Sequence, residues 1–398
     1  MYPVSPEFIQ EITTGATIVV RADVYRGGVD PILTDIPILP GSTVTEDPYA
    51  SVRRRCTLNI APTEGLMRYV PAAVFRDDTG LWPAGSEIRV RQGIRYANRA
   101  LGTEWVEMGW FTVGRVEVRK QQGELTLQTD GFDMTRAIGR ARLTDVYDIP
   151  WGSKITDTVG NLFLSQCSWL STDDFDFSRI QLLADAGGTA TLFTPHIVLD
   201  INEDPWVFAV ELCRDQGIDL RVDGNKKIVM RPYPNTHTES PVAEYRSGQY
   251  NIVEEYSRVL DDQESYNGVI VIGENPSNQT VVRGEVWDRN IYSPTYFDPA
   301  NPGASAYGPH PLIVRNQNIA SDDSAAWCAY FTFLNNRGIL ETLSINALPH
   351  FAHEPFDQVF LHDTETGVDG QYMLQNCQIG LGHDGSLQAT MVGKHWFQ

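Results

Sequence analysis

The chain contains few cysteines, and these few are far apart in the sequence. Five cysteines occur in 398 residues, and no two of them form a Cys-x-x-Cys pair. An odd number of isolated cysteines argues against a disulfide framework and fits assembly in a reducing cytoplasm. The five positions are Cys56, Cys167, Cys213, Cys328 and Cys377.

A long apolar run is also absent. No uninterrupted apolar segment approaches the ~20 residues that a membrane-spanning helix requires, so no membrane span is predicted. The segment 1–7 has no basic region followed by an apolar core, so no signal peptide is expected. If the protein leaves the cell, the sequence predicts that it does so through lysis.

Basic residues are scarce relative to acidic ones. The sequence has 31 Lys and Arg residues and 51 Asp and Glu residues, which gives a net charge of −20 and a pI near 4.7. Stable binding of nucleic acid is not predicted, because it requires cationic side chains that neutralise phosphates. Negative charge on the wall of a channel repels DNA phosphates, so DNA slides through such a channel without binding to it. The same net charge is equally typical of an acidic protein that forms no channel.

Glycine and proline, in contrast, are plentiful. The 33 Gly and 23 Pro residues are spread along the chain and separate many short strand-like segments. At about 150 residues per domain, the length predicts two to four domains. The predicted class is α+β and mainly β.

Residues 1–148 have the pattern of an N-terminal antiparallel barrel or sandwich. Apolar and polar residues alternate over 17–25, as in a half-buried strand. Alternation over 116–129, interrupted by the turn 120–123, indicates a hairpin. The run Arg53–Arg55 is better explained by a charged strand edge, or by ion pairs with acidic neighbours, than by a nucleic-acid patch. Alternate residues of an extended segment face opposite sides, which divides this charge between two surfaces.

Residues 149–238 combine helical and strand patterns, which predicts the α/β middle domain. The second of two helical patterns begins at Asp204 and Pro205, an acidic N-cap followed by proline at the first helical position. Gly217 stands where this helix is expected to end. The segment 218–230 then has the pattern of a hairpin with an Asp-Gly turn.

Residues 239–398 return to strands, and a helix is predicted at 321–337. This helix has an acidic first turn and Gly338 at its C-terminal end. A closing hairpin is predicted to turn at 383–385. The segment 274–311 is rich in Pro, Asn and Tyr without a sustained period, and we expect it to be an irregular, partner-facing excursion.

Four aromatic residues of the excursion are the candidate partner-contact residues. Aromatic side chains are favoured at interface hot spots and also stack on sugars. Local packing explains them equally well. They are Trp287, Tyr292, Tyr296 and Phe297.

No catalytic, cofactor-binding or metal site is predicted, and the chain is not expected to be an enzyme. His350 and His353, with His362 nearby, are the one concentration of metal-ligating residue types. Pro349 and Pro355 argue against the helix that would place the first two histidines on one face, and the spacing of a zinc hydrolase is absent. Adjacent carboxylates are normally solvated, whereas a glycosidase needs two that converge across a cleft.

Three groups of segments follow one another in a recognisable order. They are 129–133 with 150–155, then 204–217 with the hairpin after it, then 266–271 with 311–398. In this order they resemble the phage tail hub or baseplate hub family. The segments 51–55 and 109–111 also resemble minor tail proteins of long-tailed phages that infect actinobacteria. Each motif is short, so the resemblance depends on their order.

The resemblance implies a structural role in a homotrimer. In that family, two barrel-like domains per chain let three chains present six similar surfaces, which adapts a hexameric tail tube to a threefold tail tip. The resemblance implies that 1–148 and 239–398 are two antiparallel barrel-like domains, with the helix 321–337 docked on the second. A smaller α/β domain, 149–238, is then inserted between them. The implied function is a ring that gates the DNA channel at the tail tip of the virion, after assembly in the host cytoplasm. The implied partners are a distal tail protein or tail tube ring, the C-terminus of the tape-measure protein, and tail tip or fibre proteins. Genomic DNA is implied only in transit through the lumen.

A second class of function is left open. It is a virion-surface glycan-binding protein or a cell-wall glycoside hydrolase. The chain ends at Gln398 without the long extension that carries peptidase or lysozyme domains in many members of the family. A role in cell-wall degradation is therefore not expected.

Overall fold

The structure is a computed structural model. It describes residues 2–14, 17–61, 81–83, 85–98, 101–121, 124–180, 194, 196–232, 240–246, 253–261, 265–275, 280–316, 319, 321–336, 339–347, 350–363, 366–382 and 385–395.

Five α-helices and twenty strands have both of their ends within these residues. The helices are α1 (Pro6–Thr14), α2 (Met134–Arg140), α3 (Ile155–Gln166), α4 (Pro205–Asp215) and α5 (Asp322–Asn336). The strands are β1 (Thr17–Tyr25), β2 (Thr43–Glu46), β3 (Arg54–Ile60), β4 (Glu87–Arg95), β5 (Thr103–Gln121), β6 (Glu124–Phe132), β7 (Tyr147–Ile149), β8 (Phe175–Asp176), β9 (Ile197–Leu199), β10 (Ile218–Val222), β11 (Ile228–Pro232), β12 (Ala243–Arg246), β13 (Val253–Asp261), β14 (Gly268–Asn275), β15 (Thr280–Trp287), β16 (Pro311–Arg315), β17 (Ile339–Ala347), β18 (Gln358–Asp363), β19 (Val368–Gly380) and β20 (Leu387–His395).

The largest sheet takes its twelve strands from both ends of the chain. Its main path is β1-β4-β5-β6-β3-β2-β19-β20-β17-β13, and β18 joins β12 to β19. Strand β2 connects the two halves, because it pairs with β3 on one side and with β19 on the other. The apolar core is shared in the same way, since Leu58 and Phe111 belong to the same buried cluster as Leu343 and Phe351.

This arrangement differs from the predicted pair of separate barrel-like domains. The alternating segments are strands, and the class is mainly β as predicted, but the described strands form an open sheet and do not close into a barrel. A period of two identifies a strand without showing which distant strand it pairs with. The pairing of β2 with β19 was therefore invisible in the sequence, and the domain boundaries at 148 and 238 stay a prediction.

The middle of the chain has its own core between helices and a hairpin. The rings of Phe163 and Trp206 stack 5.7 Å apart within it, and β10 pairs with β11 as predicted. Asp204 caps α4 as predicted, accepting hydrogen bonds from the backbone nitrogens of Trp206 at 3.0 Å and Val207 at 3.1 Å. Gly217, where the helix ends, has a φ of 70°.

A smaller three-stranded sheet lies in the last third of the chain and has α5 on one face. Its order is β15-β14-β16, with β14 antiparallel to β15 and parallel to β16. The helix crosses β15 at Gly284, where an added Cβ would lie 2.2 Å from the carbonyl carbon of Ala325. The glycine therefore permits this close approach.

The irregular excursion is shorter than predicted. Thr280–Trp287 forms strand β15, although the sequence placed all of 274–311 in one irregular segment. The described residues 288–310 contain no strand, and Pro302–Ala304 forms a single 3-10 turn. Arginine, glutamate and glycine interrupt the apolar alternation of β15, which explains why its pattern was not recognised.

The docked helix is confirmed to within one residue at each predicted end. It covers Asp322–Asn336, and Ser321 Oγ accepts the backbone N–H of Ser324 at 3.2 Å, as an N-cap does. The predicted Gly338 and turn residues 383–384 lie outside the described residues. None of the described helices is long and apolar enough to cross a membrane.

Candidate functional site

A buried ion pair joins the β10–β11 hairpin to the N-terminal half of the large sheet. Asp219 Oδ1 lies 2.6 Å from Arg53 Nη1, and Asp219 Oδ2 lies 3.2 Å from Arg231 Nε. The Asp219 side chain is fully buried, and that of Arg53 is 4% exposed. Burial raises the pKa of Asp219, but the charges of Arg53, Arg231 and Arg221 outweigh burial and hold this pKa below its usual value. Asp219 is therefore a buried anion.

A second buried ion pair joins the same hairpin to the loop before β18. Arg221 Nη2 donates to Glu354 Oε1 at 2.8 Å, and Arg231 Nη2 donates to the backbone oxygen of Pro355 at 2.9 Å. Burial raises the pKa of Glu354, but the nearby positive charges, with Arg221 the strongest of them and Arg231 adding to it, together hold this pKa below its usual value. The two pairs together connect three parts of the chain that are far apart in sequence. We call this set the charge cluster: Arg53, Asp219, Arg221, Arg231 and Glu354.

Arg54 makes a related set of contacts beside the charge cluster. Its Nη2 lies 2.6 Å from Glu46 Oε2, and its backbone nitrogen donates to Asp133 Oδ2 at 3.1 Å. Burial raises the pKa of Asp133 to about 6, against the opposing charge of Arg54. Arg55 is exposed, whereas Arg53 and Arg54 are buried in ion pairs. The interpretation of this run as ion pairs with acidic neighbours is confirmed.

The predicted concentration of histidines is divided between the interior and a strand. His350 and His353 are buried, and their rings stack with centroids 4.0 Å apart. His353 Nε2 lies 2.6 Å from Tyr245 Oη, and its Nδ1 lies 3.3 Å from Asp357 Oδ2. His362 is partly exposed on β18. No group of three or more His, Cys, Asp or Glu side chains suited to a metal occurs in the part of the chain that the structure describes.

The smaller sheet has an inner face under α5 and an outer face on the opposite side. The strand register places Ile270 beside Ile313, and Ile272 between Arg283 and Arg315. Because α5 packs against the alternate residues, these side chains point away from it. We define the outer face by Ile270, Ile272, Val281, Arg283, Glu285, Trp287, Ile313 and Arg315.

The four predicted partner-contact residues fall into two groups. The ring centroids of Trp287 and Phe297 are 4.8 Å apart, and Phe297 is buried, so local packing accounts for this pair. The backbone nitrogen of Phe297 also donates to the backbone oxygen of Asp288 at 2.8 Å, which holds the excursion against the end of β15. Tyr296 is half-buried, whereas Tyr292 is 70% exposed. The role of these residues in binding a partner stays a prediction.

The sequence patterns revealed neither the charge cluster nor the outer face. Asp219 and Arg221 alternate with apolar residues in β10, which is also the pattern of a strand with one solvated face, yet all five residues of β10 are buried. A charged residue between apolar ones indicates the strand but does not indicate its partner. Arg53 and Asp219 are 166 residues apart.

Comparison with known proteins shows similarity in fold alone. No protein-family model and no curated protein sequence matches this chain. A tail protein from Neisseria meningitidis MC58 superposes with a TM-score of 0.62 at 11% identity, over 94% of this chain and 96% of that one. The 43 kDa tail protein of prophage MuSo2 from Shewanella oneidensis gives 0.56 at 12% identity, over 94% and 98%. A prophage tail protein from Listeria monocytogenes gives 0.55 at 12% identity, over 95% of each chain. The chain therefore shares the fold of prophage tail proteins.

Proposed function

We propose that this chain is a structural component of a phage tail, and specifically a hub protein at the tail tip. The observation that supports this best is the fold similarity to tail proteins over nearly the whole of both chains. A similarity of this extent involves the large sheet, the middle core and the smaller sheet together. The similarity therefore extends beyond any single module of the chain. Fold alone does not fix function, and the location of the chain in the virion and its oligomeric state test the assignment.

In this proposal three copies form a ring around the path of the DNA. A distal tail protein or tail tube ring lies on one side, and tail tip or fibre proteins lie on the other. The C-terminus of the tape-measure protein occupies the lumen until the channel opens. The net charge of −20 supports passage of DNA without stable binding, because phosphates are repelled. The role is structural and not catalytic.

The charge cluster supports a rigid ring component. It connects the middle hairpin to both halves of the large sheet, so the three parts of each chain are held together by desolvated charges. Breaking either pair would leave a buried charge without its counter-ion, which is strongly unfavourable. The buried ion pairs are therefore expected to fix the middle hairpin relative to the large sheet when the subunit contacts its neighbours.

Two measurements test the proposal. Gold-labelled antibodies against the chain are expected to bind one end of the tail on particles of the phage that encodes it. Absence of the chain from virions would refute the tail function. Mass photometry and negative-stain electron microscopy of the purified protein are expected to show three times 44.5 kDa and a threefold ring with an axial lumen. Binding of a cell-wall saccharide without a ring would instead favour the glycan-binding alternative.

A further inference from the structure

The outer face of the smaller sheet carries aliphatic side chains on all three of its strands. Val281 is 74% exposed and Ile313 is 54% exposed, and they lie on the two outside strands of the sheet. Ile270 and Ile272 lie between them on the central strand and are half-buried. Large aliphatic side chains at neighbouring positions of a sheet are the usual mark of a face that another surface covers.

The outer face carries no net negative charge, although the chain as a whole is strongly acidic. Arg283 and Arg315 flank Ile272, and Arg283 Nη2 lies 2.9 Å from Glu285 Oε2 on the same face. The outer face therefore carries two basic residues and one acidic residue, against 31 and 51 in the whole sequence.

The absence of net negative charge indicates the kind of partner that the face suits. Two copies of a chain with a net charge of −20 repel each other over most of their surfaces. Repulsion is weakest where a surface has no net negative charge, and interface cores are depleted of unpaired charge and enriched in apolar area. We propose that the outer face binds a second copy of this chain and is one of the surfaces that close the ring.

The excursion extends the same contact area. It leaves the sheet at Trp287, the last residue of β15, which belongs to the outer face. Ile291 and Tyr292 follow within five residues and are 67% and 70% exposed. Because a three-stranded face alone is smaller than a standard interface of ~800 Å² per partner, these residues are expected to supply part of the remaining contact.

The test places a charge on the face and measures the mass of the particle. Ile313→Asp is expected to raise the dissociation constant of the ring by about tenfold or more, because association would bury an unpaired carboxylate. Val198→Asp is the matched control, since Val198 is 53% exposed on β9 and lies outside the outer face. Arg315→Glu makes the face acidic, and we expect it to weaken association more at low salt than at high salt. Circular dichroism verifies that each variant folds.

The outcomes separate this inference from the proposed function on which it rests. If the wild-type chain forms trimers and both outer-face variants do too, the inference is wrong and the ring stands. If the wild-type chain is monomeric, both the ring and the inference are wrong, while gold labelling still decides the tail location. If Ile313→Asp remains trimeric but no longer enters tails, another tail protein occupies the face. A second copy is then refuted as its partner.

Discussion

The charge cluster can be tested at Asp219, the anion that forms ion pairs with Arg53, Arg221 and Arg231. Asp219→Asn keeps the shape of the side chain and one carbonyl oxygen, but it removes the negative charge. Arg53 is 4% exposed, so its guanidinium cannot reach water unless the side chains around it move apart. Arg231 keeps its hydrogen bond to the backbone oxygen of Pro355. The main loss is therefore the uncompensated charge of Arg53.

The expected magnitude follows from the burial of both partners. Breaking a buried ion pair from one side lowers the free energy of unfolding by about 3–5 kcal/mol, because the remaining charge stays desolvated. Because the entropy of unfolding grows with chain length, a cooperative unit of this size loses about 1 °C of melting temperature per kcal/mol, and the melting temperature is expected to fall by about 3–5 °C. Urea unfolding, followed by tryptophan fluorescence to which the buried Trp206 contributes, measures the same loss of free energy.

A matched control distinguishes a buried ion pair from an exposed one. Arg115 pairs with Glu117 at 2.6 Å, but the Arg115 side chain is 66% exposed. Arg115→Ala is expected to change the free energy of unfolding by about 1 kcal/mol or less. If Asp219→Asn changes it as little as Arg115→Ala, the buried arginines are hydrated or otherwise satisfied, and the account of the charge cluster is wrong.

Three further predictions concern single side chains. Burial raises the pKa of Asp357, but its hydrogen bond with His353 contributes to holding this pKa at about 2. A carboxyl group with a lowered pKa stabilises the fold above its unfolded pKa. The stability that ionised Asp357 contributes should therefore be lost as pH falls from about 4 towards 2. Melting temperatures of Asp357→Asn, measured across this pH range, should lack this part of the loss. Gly284→Val places side-chain atoms in the backbone of α5 and should lower the free energy of unfolding by about 1–3 kcal/mol or more, measured by urea. Trp287→Ala should destabilise the smaller sheet, whereas Tyr292→Ala should leave the melting temperature unchanged because Tyr292 is exposed.

Local sequence signals predicted local structure well. Asp204 followed by Pro205 located the start of α4, and the Asp-Gly turn located the β10–β11 hairpin, because the residues that cap or turn the backbone are neighbours in sequence. The docked helix was found for the same reason. Strand β15 was missed, because its inner face contains Gly284, and a glycine at a close contact looks like a break in the pattern.

Long-range pairing could not be predicted in the same way. Arg53 and Asp219 meet only because β3 and β10 are brought together by the whole fold. A charged residue in an alternating strand gives the same sequence pattern whether its side chain faces water or a buried opposite charge. The outer face was missed for a related reason, since Ile270 and Ile313 are neighbours only through the parallel pairing of β14 with β16.

The pairing of β2 with β19 has a consequence for fragments of the chain. A fragment of residues 1–148 would lose β19, which leaves the outer edge of β2 unpaired, and it would also lose Leu343 and Phe351 from the shared core. We expect this fragment to be aggregated or loosely packed, with strong binding of a hydrophobic dye, because its apolar cluster is incomplete. A fragment of residues 134–232 contains the whole middle core and should give a dispersed NMR spectrum, although its Asp219 would lack Arg53. If the 1–148 fragment instead gives a dispersed spectrum and a cooperative melt, its strands form a complete barrel-like domain. The single sheet would then be a contact between two domains.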